Sequence, residues 1–195
     1  RIMDALEEHG IADRTMIIFT SDNGGLVGPT SNAPLRSGKG YAYEGGIRVP
    51  LIIKWPGVVK PGVTSAEPVT SVDYLPTIAE VTGLDLPRGR AIDGISLAKH
   101  LSSQGKQSIE REAIYWHFPH YRHNPGPYSI IREGPWKLIK FYEGPMELFN
   151  LEDDLGETKN LASVMPEKVK ELNSRLLAHL KSIGAKMPKL NSARQ

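Results

Sequence analysis

Residues 15–50 read TMIIFTSDNGGLVGPTSNAPLRSGKGYAYEGGIRVP, and the fold class turns on how this stretch changes character along its length. Met16 to Phe19 is an apolar run rich in β-branched residues that stops at Thr20-Ser21-Asp22-Asn23-Gly24. Such a run predicts a buried strand delivering a polar loop at its carboxyl end. In open α/β sheets that end is where ligands sit. Asp22 and Asn23 place a carboxylate beside an amide carbonyl, and both are hard oxygen donors that suit calcium or magnesium better than zinc. Gly24 and Gly25 let the backbone turn sharply beneath an ion. Ser21 to Gly24 also has the composition of an ordinary strand-ending turn.

Farther on, Leu35-Arg36-Ser37-Gly38-Lys39-Gly40 sets a lysine between glycines, leaving its ammonium clear of bulky neighbours and able to meet an anion. Tyr43-Glu44-Gly45-Gly46-Ile47-Arg48-Val49-Pro50 then leads into a second apolar run. In this order and spacing, Ser21 to Gly24, Gly38 to Gly40, Glu44 to Gly46, Arg48 and Pro50 resemble the sulfatase family. Its chains carry an SDNG-type loop followed by a GK-G-x-x-x-E-G-G-x-R-x-P signature.

The resemblance implies an alkaline-phosphatase-like α/β fold, a mostly parallel sheet with flanking helices. It implies a calcium ion held in part by Asp22 and Asn23, and a Lys39 that contacts the sulfate and neutralises charge on the departing alcohol. Calcium takes about six to eight oxygens, so the other ligands come from elsewhere in the complete protein. Related phosphoesterases often carry Asp-His at this loop, and the all-oxygen Asp22-Asn23 pair argues for one hard ion instead. Family members also use a formylglycine, made from a Cys or Ser in a C/S-x-P-x-R motif near their amino terminus. Neither that motif nor an early aspartate pair is in these residues, and the sequence opens at Arg1 inside an amphipathic segment. The resemblance therefore covers the carboxyl-terminal part of such an enzyme. Expected partners are a sulfate-ester substrate and the missing amino-terminal part, with formylglycine upstream.

Bulk composition agrees with a folded enzyme portion. Among 195 residues, 39% are hydrophobic, enough to bury a core. The 24 basic and 22 acidic residues leave a net charge of +2 with no field of one sign, which argues against a nucleic-acid partner. No apolar run approaches the ~18 residues of a membrane span. With no cysteine, disulfides and thiolate metal sites are excluded within the chain. A periplasmic or secreted location is implied only by the family.

Taken in order, residues 1 to about 9 read as the end of a helix closed by Gly10. Leu51 to Pro56 is a short strand ended by proline. Ser71-Val72-Asp73 caps a helix with Leu75, Ile78, Ala79 and Thr82 on one face and Gly83 at its end. Asp93-Gly94-Ile95-Ser96-Leu97 resembles the family's D-G-x-S-L turn into a short helix, ending here near Leu101, and Ser102 to Gln107 is a polar linker. We place the boundary there, with 1–107 the catalytic portion and 108–195 a small α+β subdomain. Aromatic and β-branched runs at Ala113–Phe118, Tyr128–Arg132, Trp136–Phe141 and Glu147–Leu151 predict an antiparallel meander. A final helix from Pro166 carries Val169, Leu172, Leu176, Leu177, Leu180 and Ile183 inward, and the tail frays from Lys186.

The loop His117-Phe118-Pro119-His120-Tyr121-Arg122-His123 gathers histidines and an arginine where Pro119 prevents strand pairing. His117, His120 and Arg122 are candidates for a basic wall against an anionic sugar. An ordinary surface loop has the same composition. Glu44 and Arg48 read as an ion pair holding the signature loop, and Asp153, Asp154 and Glu157 as a solvated turn. Rival functions are a phosphoryl-transfer enzyme of the same superfamily and a non-catalytic carbohydrate-binding relative.

Overall fold

The structure, a computed structural model, describes residues 1–189. In chain order its elements are α1 (Ile2–Glu8), β1 (Ile17–Thr20), α2 (Glu44–Ile47), β2 (Leu51–Lys54), α3 (Tyr74–Thr82), α4 (Ala98–Ser102), β3 (Ile114–Phe118), β4 (Tyr128–Glu133), β5 (Trp136–Phe141), β6 (Met146–Asn150) and α5 (Pro166–Ser182). They fall into two compact units, one of Arg1–Thr20 with Leu51–Arg111 and one of Ser21–Pro50 with the chain from Glu112 onward. The segment carrying both signature loops groups with the later strands.

In the first unit β1 pairs antiparallel with β2, Phe19 opposite Ile52. The fold is mixed α/β as expected, but the ladders between its named strands are antiparallel throughout, and no parallel partner of β1 lies among the described residues. Nor is β1 a buried strand here, for Phe19 is 63% and Ile52 62% exposed. A two-stranded ribbon leaves one face unpacked. A 3-10 turn at Ser71–Asp73, opened by a capping box between Thr70 and Asp73, runs into helix α3, which stops at Gly83, whose φ of 68° is the left-handed conformation that ends helices.

The face α3 buries is not the expected one. Leu75 and Ile78 are exposed, while Pro76, Thr77 and Ala79 are buried. Polar tethers turn the helix this way: buried Asp73 pairs with Arg111 at 2.5 Å and accepts from the Ile95 amide at 3.0 Å, and Thr77 Oγ1 accepts from the Leu97 amide at 2.9 Å. The polar 102–107 stretch is also held, Gln104 bonding the Val58 carbonyl and the Lys60 amide.

The second unit is a four-stranded meander in the order β3-β4-β5-β6. Alternate residues face opposite ways along a strand, and both faces are covered. On one, Ile131, Leu138 and Leu148 meet Leu172, Leu176 and Leu180 of α5. On the other, Ile130, Ile139, Phe141 and Phe149 meet Ala42 and Tyr43 of the signature segment. Double coverage is why these strands read as continuous apolar runs. Each buried leucine of α5 contributes roughly 2 kcal/mol. Leu177 and Ile183, expected inward, are exposed. The tail is engaged at Lys186, whose carbonyl lies 2.9 Å from His117 Nε2, and at Lys189. Residues 190–195 of that tail lie outside the described residues.

Candidate active-site loops

The two signature loops are held together by backbone. The Gly24 amide donates to the Gly46 carbonyl at 3.0 Å, and the Lys39 amide to the Gly25 carbonyl at 3.0 Å. Asn32 sits between them, accepting from the Gly25 amide at 2.9 Å and donating to the carbonyls of Gly25 and Ser37. A Cβ at Gly24 would run into the Gly45 carbonyl, and one at Gly46 into the carbonyls of Tyr41 and Gly38. The glycines of the signature therefore permit close approach of two backbones, and through it set where Asp22, Asn23 and Lys39 stand.

Asp22 is exposed, and Asn23 and Lys39 are half-buried. Among the described residues, none of these three side chains makes a hydrogen bond or ion pair, so each is free to meet a ligand. Asp22 and Asn23 fit calcium by donor type as part of a ligand set. No group of three or more His, Asp or Glu side chains among the described residues could hold a metal ion.

Arg122 and His123 lie against the Lys39 loop. A Cβ added at Gly40, where φ is 89°, would sit 2.7 Å from Arg122 Nε and 2.8 Å from His123 Nε2. His123 stacks on Tyr41 with ring centroids 4.2 Å apart. The cavity bounded by Gly40, Tyr41, His123, Phe118 and Tyr128 has about 10 Å³ of room, enough for one water and not for a saccharide. His117 and His120 are placed differently. Both ring nitrogens of His117 are engaged, Nδ1 2.7 Å from Ser129 Oγ and Nε2 with the Lys186 carbonyl. A carbonyl only accepts, so in the neutral ring Nε2 carries the proton. His120 is exposed with its ring against Phe118, centroids 5.1 Å apart.

Beneath the loops lies a cluster that sequence reasoning missed. Lys137 of β5 is fully buried between Glu44 at 2.9 Å and Glu157 at 2.7 Å. Glu157 is thus not part of a solvated turn. Burial raises its pKa from the ordinary value against the opposing pull of Lys137. The Glu44 and Arg48 pair is present but long, at 3.7 Å. Alongside, Arg36 lies 3.7 Å over the Tyr43 ring, and Tyr43 donates to Glu147 at 3.1 Å. Burial, then the Glu147 carboxylate, pushes the Tyr43 phenol up to about 12. One clue to the cluster was available: Lys137 shares its strand face with Ile139 and Phe141, and a charge on an apolar face needs a partner.

Comparison with known proteins places these loops in context. The family described as "N-sulphoglucosamine sulphohydrolase, C-terminal" matches residues 37–186. A protein named sulfatase from Formosa agariphila is 39% identical over 210 residues, covering 92% of this chain and 37% of its own. Arylsulfatase A of Homo sapiens is 32% identical over 201 residues, covering 88% of this chain and 39% of its own. A protein solved in complex with its substrate D-glucosamine-2-N,6-O-disulfate superposes with a TM-score of 0.76 at 30% identity, over 96% of this chain and 38% of that one. The chain thus spans 37% to 39% of the length of these relatives.

Proposed function

The chain belongs to the sulfatase family, and from that premise we propose that it is the carboxyl-terminal part of a calcium-dependent enzyme hydrolysing sulfate esters of a carbohydrate or aryl compound. The observation that carries this reading is the stitching of the Asp22–Gly25 and Gly38–Gly40 loops through the Lys39 amide, with all three site side chains left unengaged among the described residues. Asp22 and Asn23 supply two oxygen ligands, and the rest, with the formylglycine, come from the amino-terminal part. Calcium, when bound, supplies positive charge to hold the sulfate oxygens. Lys39 binds a sulfate oxygen and balances negative charge growing on the leaving alcohol.

Arg122, against Gly40, extends this positive surface toward the alcohol portion of the substrate, and His120 stands exposed beside it in sequence. His117 reaches a substrate only by giving up its bond to the Lys186 carbonyl. We assign 1–107 to the catalytic α/β domain and 108–195 to the sheet-and-helix subdomain of the complete protein. The test is the complete protein assayed on an aryl sulfate and an aryl phosphate, with bound metal measured. Calcium-dependent sulfate release supports the proposal, and hydrolysis of the phosphate alone refutes it.

A further inference from the structure

The proposed chemistry does not use Lys137, although its placement is costly. Lys137 is 0%, Glu44 2% and Glu157 0% exposed. Two carboxylates about one ammonium leave a buried negative excess, offset by Arg48 at 3.7 Å from Glu44 Oε2, an oxygen with no hydrogen bond, and by the field of Arg132. Clusters of this kind return less in attraction than their desolvation costs, and well-packed apolar side chains in their place often stabilise a fold. What the charges add is direction, since charge-assisted hydrogen bonds hold one geometry where apolar contacts tolerate sliding.

That direction is applied at the base of the site. Glu44 opens α2, and its amide donates to Glu157 Oε2 at 2.6 Å while its side chain accepts from Lys137. The next residues carry the stitching: the Gly45 amide bonds the Arg36 carbonyl at 2.9 Å, and the Gly46 carbonyl accepts from Gly24 at 3.0 Å. The Gly25 carbonyl then accepts from Lys39 at 3.0 Å. Arg36, just before the Lys39 loop, donates to the Glu157 carbonyl at 2.9 Å.

We propose that Lys137 is a positioning residue: with Glu157 it locks Glu44, and through the Gly45–Gly46 turn it sets where the Lys39 and Asp22 loops stand. The effect on turnover rests on the reading of Lys39 as the anion contact, whereas the effect on loop order does not.

The test is a double-mutant cycle in the complete enzyme, read with amide exchange. Lys137→Met keeps the volume and removes the charge. It should lower kcat on an aryl sulfate by about tenfold while KM stays within about threefold. Glu157→Ala leaves a neutral Lys137–Glu44 pair, serves where the first variant does not fold, and should act in the same direction. In a Lys39→Ala background either change should cost less than about twofold more. The amides of Gly24 and Lys39 should exchange faster, with those of the β4–β5 ladder unchanged. Equal losses in both backgrounds, or faster exchange spread through the ladder, would reduce Lys137 to general stability and overturn the proposal. Should Lys39→Ala by itself leave kcat unchanged, the reading of Lys39 falls, and the exchange result alone decides the role of Lys137.

Discussion

The amide of Lys39 donates to the carbonyl of Gly25 at 3.0 Å, so the residue proposed to meet the sulfate and the loop proposed to hold the metal are one hydrogen bond apart. A shift of either loop moves the other, and the two proposed roles can be probed separately because the side chains differ in chemistry.

If Asp22 is a calcium ligand as proposed, Asp22→Ala in the complete enzyme removes a charge that the remaining donors cannot replace. Bound calcium should be lost or severely weakened, and Asn23→Ala should weaken it less. Metal analysis after dialysis checks this; an unchanged complement of calcium in the Asp22 variant would remove that residue from the metal site.

In its proposed role Lys39 is one preorganised charge facing a developing anion, and Lys39→Ala removes it. Turnover of an aryl sulfate should fall at least ~100-fold, with little change in thermal stability because the half-buried side chain carries no bond among the described residues. Kinetics within threefold of the parent, a difference of about 0.7 kcal/mol, would return Lys39 to the solvent.

Arg122→Ala and His120→Ala should depress activity on sulfated saccharides more than on a small aryl sulfate, since the reacting centre is shared and the remote contacts are not. His117→Ala, by contrast, removes the link between Ser129 and the Lys186 carbonyl. It should lower stability by about 1–2 kcal/mol and affect both substrates alike. Substrate-selective loss at His117 would instead place it among the proposed saccharide contacts.

Glu157 supplies a pH signature. Its folded pKa lies above the unfolded value of 4.5, chiefly through burial, so the native state binds more protons than the unfolded one between the two values. Stability from this group is present below the unfolded pKa and is lost as pH rises through the folded one. Urea unfolding from pH 4 upward should show that decline in the parent and a flatter profile in Glu157→Gln. Parallel profiles would mean that Lys137 compensates the buried carboxylate fully.

Gly24→Ala should abolish activity through the backbone, because its Cβ meets the Gly45 carbonyl. Overpacking of this kind costs about 1–3 kcal/mol or forces the loops apart. Wild-type turnover with wild-type stability in this variant would show that the two backbones have room to separate without consequence.

Local chemistry was legible in the sequence. The strand Trp136–Phe141, the start of α5 at Pro166 and the glycine closing α3 fall where composition and periodicity put them, because caps, turns and apolar runs act over a few residues. The signature loops could be recognised for the same reason, their glycines and charges being consecutive. Tertiary structure alone decided which apolar face turned inward, since periodicity defines a face without saying what covers it: Phe19, Leu75 and Ile78 stayed exposed. It alone also paired Lys137 with Glu44 across 93 residues and Glu157 with the Glu44 amide across 113. The same folding brought Arg122 and His123 against Gly40. No local rule joins residues so far apart, and only the packing of the signature segment on the meander brings these charges within 3 Å and takes them out of water.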